Sequence, residues 1–134
     1  MSSIHYISYQ QLDLENIQSI ILEEKQLELS NEAIDKIENC RAYLDEKLKS
    51  ETKPIYGINT GFGSLYNVKI DKENLTKLQE NLVMSHACGT GDIVPNEVVK
   101  LMLLLKIQSL SYGHSGVQLQ TVQRLIAFFN NDIL

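Results

Sequence analysis

The segment from residue 54 to residue 63 combines glycines with a single tyrosine and could carry acid–base chemistry. It reads Pro-Ile-Tyr-Gly-Ile-Asn-Thr-Gly-Phe-Gly. Glycine allows backbone angles that a side chain forbids, and Tyr56 places a phenol at the entry of this loop. A tyrosine beside such a turn more often packs or forms hydrogen bonds, and the alternative is that it acts as a general base. Because ordering a flexible loop costs conformational entropy, the loop needs a reason, either structural or functional.

A second candidate is the pair Ser85-His86, just before Gly89 and Gly91. A lone histidine at the end of a helix is more often a structural cap or an exposed residue. Adjacent residues on a helix point about 100° apart, so we do not expect the pair to act as a nucleophile and its base. Recognition of a substrate by His86 is the better functional hypothesis.

Other chemistries lack their motifs. No lysine follows the loop glycines as a P-loop requires, and the dinucleotide fingerprint is absent, so we predict no nucleotide site. No two histidines have the spacing of metal ligands, and we predict no metal. Cys40 and Cys88 form no CxxC motif and are interpreted as two reduced thiols. His5 is expected to face solvent from a strand, and His114 to lie in a turn at a helix end.

The composition is that of an ordinary globular domain. The 134 residues are 43% hydrophobic and 22% charged, with a net charge of −5. An acidic chain is a poor match for nucleic acid or an anionic membrane, so we expect neither as a partner. No apolar stretch approaches the roughly 20 residues of a membrane span, and the N-terminus lacks the blocks of a signal peptide. We therefore expect a cytoplasmic protein.

The loop must be positioned by helices, because helical spacing of apolar residues lies on both sides of it. Residues 4–9 favour a short strand, and Leu14, Ile17 and Ile21 favour a helix. Ser30 is a suitable N-cap for a helix that ends near Ser50.

After the loop, Asp71 is the expected cap of a helix that ends at residues 89–91. The next helix, from about residue 96 to residue 112, is apolar nearly all round, which predicts burial on all sides. Gly113 and Gly116 bracket its end, and a last stripe runs from Leu119 to Ile133. A chain of this length has little bulk with which to surround so apolar a helix, and its C-terminus is apolar as well. Both features suggest a fragment of a larger protein or an obligate oligomer.

Three motifs together resemble one family. Residues 56–63 look like the Tyr-Gly-Val/Ile-Asn-Thr-Gly-Phe-Gly signature of the aromatic amino acid ammonia-lyases and aminomutases. Residues 82–89 (Leu-Val-Met-Ser-His-Ala-Cys-Gly) resemble the selectivity helix of that family, in which histidine lyases carry Ser-His, tyrosine lyases His-Leu and phenylalanine lyases Phe-Leu. Residues 113–117 resemble its Gly-x-Ser-Gly-Val turn. The resemblance covers essentially the whole chain, as the N-terminal quarter of a longer enzyme.

The resemblance implies a mainly α fold, the N-terminal part of the helical, fumarase/aspartase-like lyase superfamily. Residues 1–134 would form one N-terminal domain, with a short strand at its start and an active-site loop at 54–68. The implied reaction converts L-histidine to trans-urocanate and ammonia, the first step of histidine degradation to glutamate. The parent enzyme would be a cytoplasmic homotetramer whose active sites combine residues of several subunits.

The resemblance also assigns roles to residues. Tyr56 would be the base that removes the β-proton, and His86 would contact the substrate imidazole, with Ser85, Asn59 and Gly63 completing the substrate-binding set. The electrophile would be a 4-methylidene-imidazol-5-one (MIO), formed from an internal Ala-Ser-Gly. These 134 residues contain no Ala-Ser-Gly, so we expect it beyond Leu134 and expect the chain alone to be inactive.

Three departures from the family pattern leave alternatives open. Lys106 and Gln108 stand where many histidine lyases have arginine and asparagine, and Gln118 stands where arginine is common. One alternative is therefore a tyrosine or phenylalanine ammonia-lyase or an aminomutase of the same family. Another is a non-catalytic helical interaction module.

Overall fold

The computed structural model describes residues 3–50, 53, 55–60, 70 and 72–134. These residues form five helices and a two-stranded sheet, which confirms the prediction of a mainly α fold. In chain order the elements are β1 (Ile4–Ile7), α1 (Leu14–Leu22), β2 (Gln26–Leu29), α2 (Asn31–Ser50), α3 (Lys72–His86), α4 (Asn96–Ser111) and α5 (Leu119–Asn130).

The chain divides into two compact units. The first unit comprises Met1–Lys49 and Val94–Leu134, and the second unit is Ser50–Ile93. Both candidate motifs, the tyrosine loop and the Ser-His pair, belong to the second unit. Within the described residues, no helix has the length and apolar character needed to cross a membrane.

The sheet of the first unit is held by a side chain from the far end of the chain. Strands β1 and β2 run parallel, with Ile4 opposite Gln26. On the other edge of β2, the Asn130 side-chain oxygen accepts a hydrogen bond from the Leu27 amide at 2.8 Å, and its nitrogen donates to the Leu27 carbonyl at 3.0 Å. Asn130 therefore replaces a third strand at this position and connects α5 to the sheet.

The core of the first unit consists of apolar side chains from both strands and from helices α1, α2, α4 and α5. Its fully buried members are Ile7, Ile20, Leu27, Ile37, Leu104, Ile107, Val122 and Phe129. Helix α5 contributes residues three to four positions apart, as its predicted stripe requires. Burial of each such side chain stabilises the fold by about 1.5–3 kcal/mol.

Helix α4 has nearly the predicted bounds, but the prediction that it is buried on all sides is wrong. Its buried side, which includes Leu104 and Ile107, belongs to the core shared with α5. On the opposite side Val98, Met102 and Leu105 are exposed, Met102 by 63%. The reason is geometric, because packing against α5 covers one side of the helix and leaves the other uncovered.

The predicted start of α2 is confirmed, since the Ser30 hydroxyl accepts a hydrogen bond from the Ala33 amide at 3.2 Å. The predicted cap Asp71 lies outside the described residues. His5, expected to face solvent, is half-buried. Burial lowers the pKa of His5 below its ordinary value, and the positive charge of Lys25 adds to this effect.

The turn between α4 and α5 depends on two glycines and one arginine. Gly113 and Gly116 have φ angles of +72° and +66°, which L side chains rarely adopt. The Arg41 guanidinium donates two hydrogen bonds to the Asp45 carboxylate, at 3.0 and 2.6 Å, and a third to the Gly116 carbonyl at 3.3 Å. The hydrogen bonds from Arg41 lower the pKa of Asp45.

One of the three family departures has a structural role. Gln108 is buried in α4, and its side-chain nitrogen donates to the carbonyls of Ser8 and Gln10, at 2.8 and 2.9 Å. These bonds hold the chain just after β1 against α4. Lys106 and Gln118 are exposed.

Candidate functional site

Tyr56 lies on a tight turn of the second unit. The amides of Ile58 and Asn59 both donate to the Ile55 carbonyl, at 3.1 and 3.2 Å, so residues 55–59 form one closed turn. Gly57, which directly follows Tyr56, has φ +76°. A side chain at this position would strain the backbone even though the space around it is open. The turn presents Tyr56 outward, with 62% of its surface exposed.

Asn59 stabilises this turn from inside. Its side-chain oxygen accepts a hydrogen bond from the Ile55 amide at 2.6 Å, and its side-chain nitrogen donates to the Lys53 carbonyl at 3.5 Å. Its own carbonyl accepts from the Ile70 amide at 2.9 Å. Asn59 is 8% exposed, so both ends of its amide are committed to the loop. This geometry supports a role in shaping the loop that carries Tyr56.

Ser85 and His86 meet at the C-terminal end of α3, where both are exposed. The Ser85 hydroxyl donates to the Leu82 carbonyl at 2.9 Å and lies 3.0 Å from His86 Nδ1. His86 Nδ1 is itself 2.9 Å from the Leu82 carbonyl. The expectation that the two side chains diverge is therefore wrong. Helical side chains lean toward the N-terminus, and here both lean onto the same carbonyl.

The predicted site residues thus fall into two pairs within the second unit. Tyr56 and Asn59 share the turn, and Ser85 and His86 are in contact at the end of α3. Gly63, the remaining member of the predicted set, lies outside the described residues. The Leu82 carbonyl was not predicted, because a backbone group leaves no signal in the sequence.

The described parts of the chain bring no three His, Cys, Asp or Glu side chains together in a way that could hold a metal ion. Both cysteines are free, Cys40 being half-buried and Cys88 exposed.

Comparison with known proteins agrees with these motifs. The family model for aromatic amino acid lyases matches residues 12–134. The histidine ammonia-lyase of Deinococcus radiodurans is 47% identical over 123 residues, which make up 92% of this chain and 23% of that protein.

Solved structures give the same picture. The crystal structure of histidine ammonia-lyase from Trypanosoma cruzi matches with a TM-score of 0.79 and 33% identity, covering 95% of this chain and 25% of that one. The ergothioneine-degrading enzyme ergothionase from Treponema denticola matches with a TM-score of 0.87 and 26% identity, covering 96% of this chain and 26% of that one. The chain therefore spans about a quarter of the length of the relatives it matches.

Proposed function

Because the chain belongs to the aromatic amino acid lyase family, we propose that it is the N-terminal part of a histidine ammonia-lyase, which converts L-histidine to trans-urocanate and ammonia. The observation that carries this proposal is the exposed Ser85–His86 pair at the end of α3. The His86 ring offers a hydrogen-bonding nitrogen to a substrate ring, and an imidazole ring can use it. The name of the Deinococcus relative supports the same assignment.

Phenylalanine is a poorer match for this site than histidine. A phenyl ring has no donor or acceptor, so binding it would remove water from His86 without replacing the lost hydrogen bond. An unpaired polar group costs about 1–3 kcal/mol when buried, which corresponds to roughly a fivefold to hundredfold preference against such a substrate.

Tyr56 is the proposed base. The reaction must remove a weakly acidic proton from the β-carbon, and the phenol is held outward on a turn fixed by Asn59 and Gly57. In the complete site the loop brings this phenol to the substrate and excludes water from it. Asn59 and Gly63, which the resemblance places in the substrate-binding set, belong to the same loop.

The electrophile is the missing half of this site. The family group MIO supplies an electrophilic centre for the amine of the substrate, and it would form from an Ala-Ser-Gly that these 134 residues do not contain. Tyr56 and His86 are both exposed, which fits a site that another segment of the sequence completes. This chain would orient the ring and remove the proton.

The complete enzyme is, in this proposal, a cytoplasmic homotetramer in which the second unit is joined by segments from other parts of the sequence. The chain alone would produce no urocanate. The coding sequence downstream of Leu134 offers an independent check, because it should contain Ala-Ser-Gly, whereas a stop codon there would favour the non-catalytic module.

Substitution of Tyr56 by phenylalanine in the full-length enzyme tests the role of the phenol. We expect Tyr56→Phe to reduce urocanate formation by about 10²–10⁴-fold, the usual contribution of a general base. The matched control is Tyr43→Phe, since Tyr43 is 64% exposed on α2, and it should leave the rate unchanged. A Tyr56→Phe enzyme with nearly normal activity removes Tyr56 from the mechanism.

A further inference from the structure

The end of α3 contains a triangle of polar atoms that includes one nitrogen of the His86 ring. Its corners are the Ser85 hydroxyl, the His86 Nδ1 atom and the Leu82 carbonyl oxygen. The three sides measure 3.0 Å from Ser85 Oγ to Nδ1, 2.9 Å from Nδ1 to the carbonyl oxygen and 2.9 Å from Oγ to the same oxygen. All three are hydrogen-bond distances.

The proton count of the triangle permits one neutral form of the ring. A carbonyl oxygen accepts and never donates. If Nδ1 carried no proton, its lone pair would face that of the Leu82 oxygen across 2.9 Å. Nδ1 must therefore be protonated and donate. The Ser85 hydroxyl is compatible with this arrangement, because its oxygen can accept from the Nδ1 proton while its own proton goes to the Leu82 carbonyl.

The proton on Nδ1 leaves the other ring nitrogen as an acceptor. A neutral imidazole has one N–H and one bare nitrogen, and the hydrogen bonds of one nitrogen decide the state of the other. Nε2 of His86 therefore carries a lone pair. It does so on an exposed ring at the end of a helix.

We propose that Ser85, together with the Leu82 carbonyl, is a positioning residue that holds His86 in the Nδ1–H tautomer, so that Nε2 accepts a hydrogen bond from the ring of the substrate. The substrate class is an amino acid whose ring carries a donor, such as the N–H of an imidazole. Ser85 acts through His86 and need not touch the substrate. The tautomer rests on the triangle alone, whereas the substrate class rests on the function proposed above.

The tautomer can be measured on the 134-residue chain without any activity. Two-bond ¹H–¹⁵N correlation spectra of histidine-labelled protein distinguish the two ring nitrogens, and His86→Gln identifies the signals of His86. The spectra are recorded at about pH 8.5, where a free imidazole is neutral. We expect a protonated Nδ1 and a bare Nε2. A majority of the Nε2–H form overturns the proposal.

The variant Ser85→Ala measures how much the Ser85 hydroxyl contributes to the preference of His86 for the Nδ1–H tautomer. We expect it to raise the fraction of the Nε2–H form roughly twofold to tenfold, the factor that corresponds to one net hydrogen bond, and we expect Ser85→Thr, which keeps the hydroxyl, to restore the original ratio. An unchanged ratio in Ser85→Ala contradicts the role of Ser85.

The chain contains a matched control for this variant. Ser115 also adjoins a histidine, His114, but its hydroxyl accepts from the Val117 amide at 3.4 Å. Ser115→Ala should therefore leave the His86 spectrum unchanged, and a change there would show that the spectrum responds to something other than the triangle.

Kinetics of the full-length enzyme separate this proposal from the proposed function. Ser85→Ala should raise KM for L-histidine more than it lowers kcat, because the ring contact is made in the ground state and in the transition state alike. If Ser85→Ala shifts the tautomer but leaves the kinetics on histidine unchanged, Ser85 positions the His86 ring, and the role of His86 in substrate binding is contradicted. If the unsubstituted enzyme turns over histidine normally while His86 is in the Nε2–H form, the proposed function stands, and the positioning by Ser85 is contradicted.

Discussion

Replacing Gly113 by alanine should strongly destabilise the first unit, because the added methyl group would meet backbone. An ideal Cβ at Gly113 lies 2.7 Å from the carbonyl oxygen of Lys36, in the interior of α2. At Gly116 the closest atom is Cδ2 of Leu44, at 2.6 Å. That atom is the end of a flexible side chain and can rotate away, whereas a helix carbonyl cannot move without its neighbours.

The two positions share one cost and differ in another. Their φ angles of +72° and +66° are nearly equal, and the left-handed conformation costs alanine about 1–2 kcal/mol at either position. Adjustment of Leu44 adds about 0.5 kcal/mol at Gly116, whereas forcing backbone apart at Gly113 adds about 1–3 kcal/mol. We expect Gly116→Ala to cost about 2 kcal/mol and Gly113→Ala about 2–5 kcal/mol.

Asparagine separates the two contributions, since it tolerates a positive φ but still has a Cβ. Gly116→Asn should therefore be nearly as stable as the parent chain, while Gly113→Asn should keep most of the cost of Gly113→Ala. The assay is urea unfolding, followed by amide NMR signals of the buried residues Ile107 and Val122 in the first unit. With a slope of about 1–3 kcal/mol per molar urea, a loss of about 3 kcal/mol lowers the midpoint by about 1–3 M. A Gly113→Ala variant that is no less stable than Gly116→Ala refutes the reasoning.

Two further predictions concern the sheet of the first unit. The pKa of His5 is lowered mainly by burial and further by Lys25, so the folded state favours the neutral ring. The stability of the folded state should therefore fall as the pH drops below about 6.5. Urea midpoints measured between pH 7 and pH 5 should show this fall, and His5→Gln should make them less dependent on pH. Asn130→Ala leaves the backbone amide and carbonyl of Leu27 without their partner and should cost about 1–3 kcal/mol of folding stability in the same assay. The control is Asn131→Ala, which removes one exposed hydrogen bond to the Ala127 carbonyl and should change the stability by less than about 0.5 kcal/mol.

The helices could be predicted from the sequence because their signals are local. Ser30 caps α2 as expected, and the stripe of α5 places Val122 and Phe129 in the core. Strand β2 was missed because its signal is not local. Residues 26–29 form a strand beside β1, and their other edge is paired by Asn130, more than a hundred positions away. The one-sided burial of α4 was missed for the same kind of reason, since hydrophobicity does not tell which neighbours are present.

In the candidate site, too, the residue types could be predicted from the sequence, but their contacts could not. Tyr56, Ser85 and His86 could be selected as candidates by resemblance, because the family motifs contain those residue types. The contacts among them could not be predicted. The Ser85–His86 contact depends on the backbone carbonyl of Leu82, and the commitment of the Asn59 side chain to the loop depends on the Ile55 amide. Both are decided by backbone geometry at a helix end or in a tight turn.

The most direct test of the central claim is a comparison of kcat/KM for L-histidine and L-phenylalanine in the full-length enzyme, with and without His86. We predict that the full-length enzyme prefers histidine and that His86→Phe lowers kcat/KM for histidine by about fivefold to hundredfold, as expected when the substrate ring loses its hydrogen-bond partner. His114→Gln, at an exposed histidine of the first unit, should change nothing. A parent enzyme that deaminates phenylalanine faster than histidine would contradict the claim.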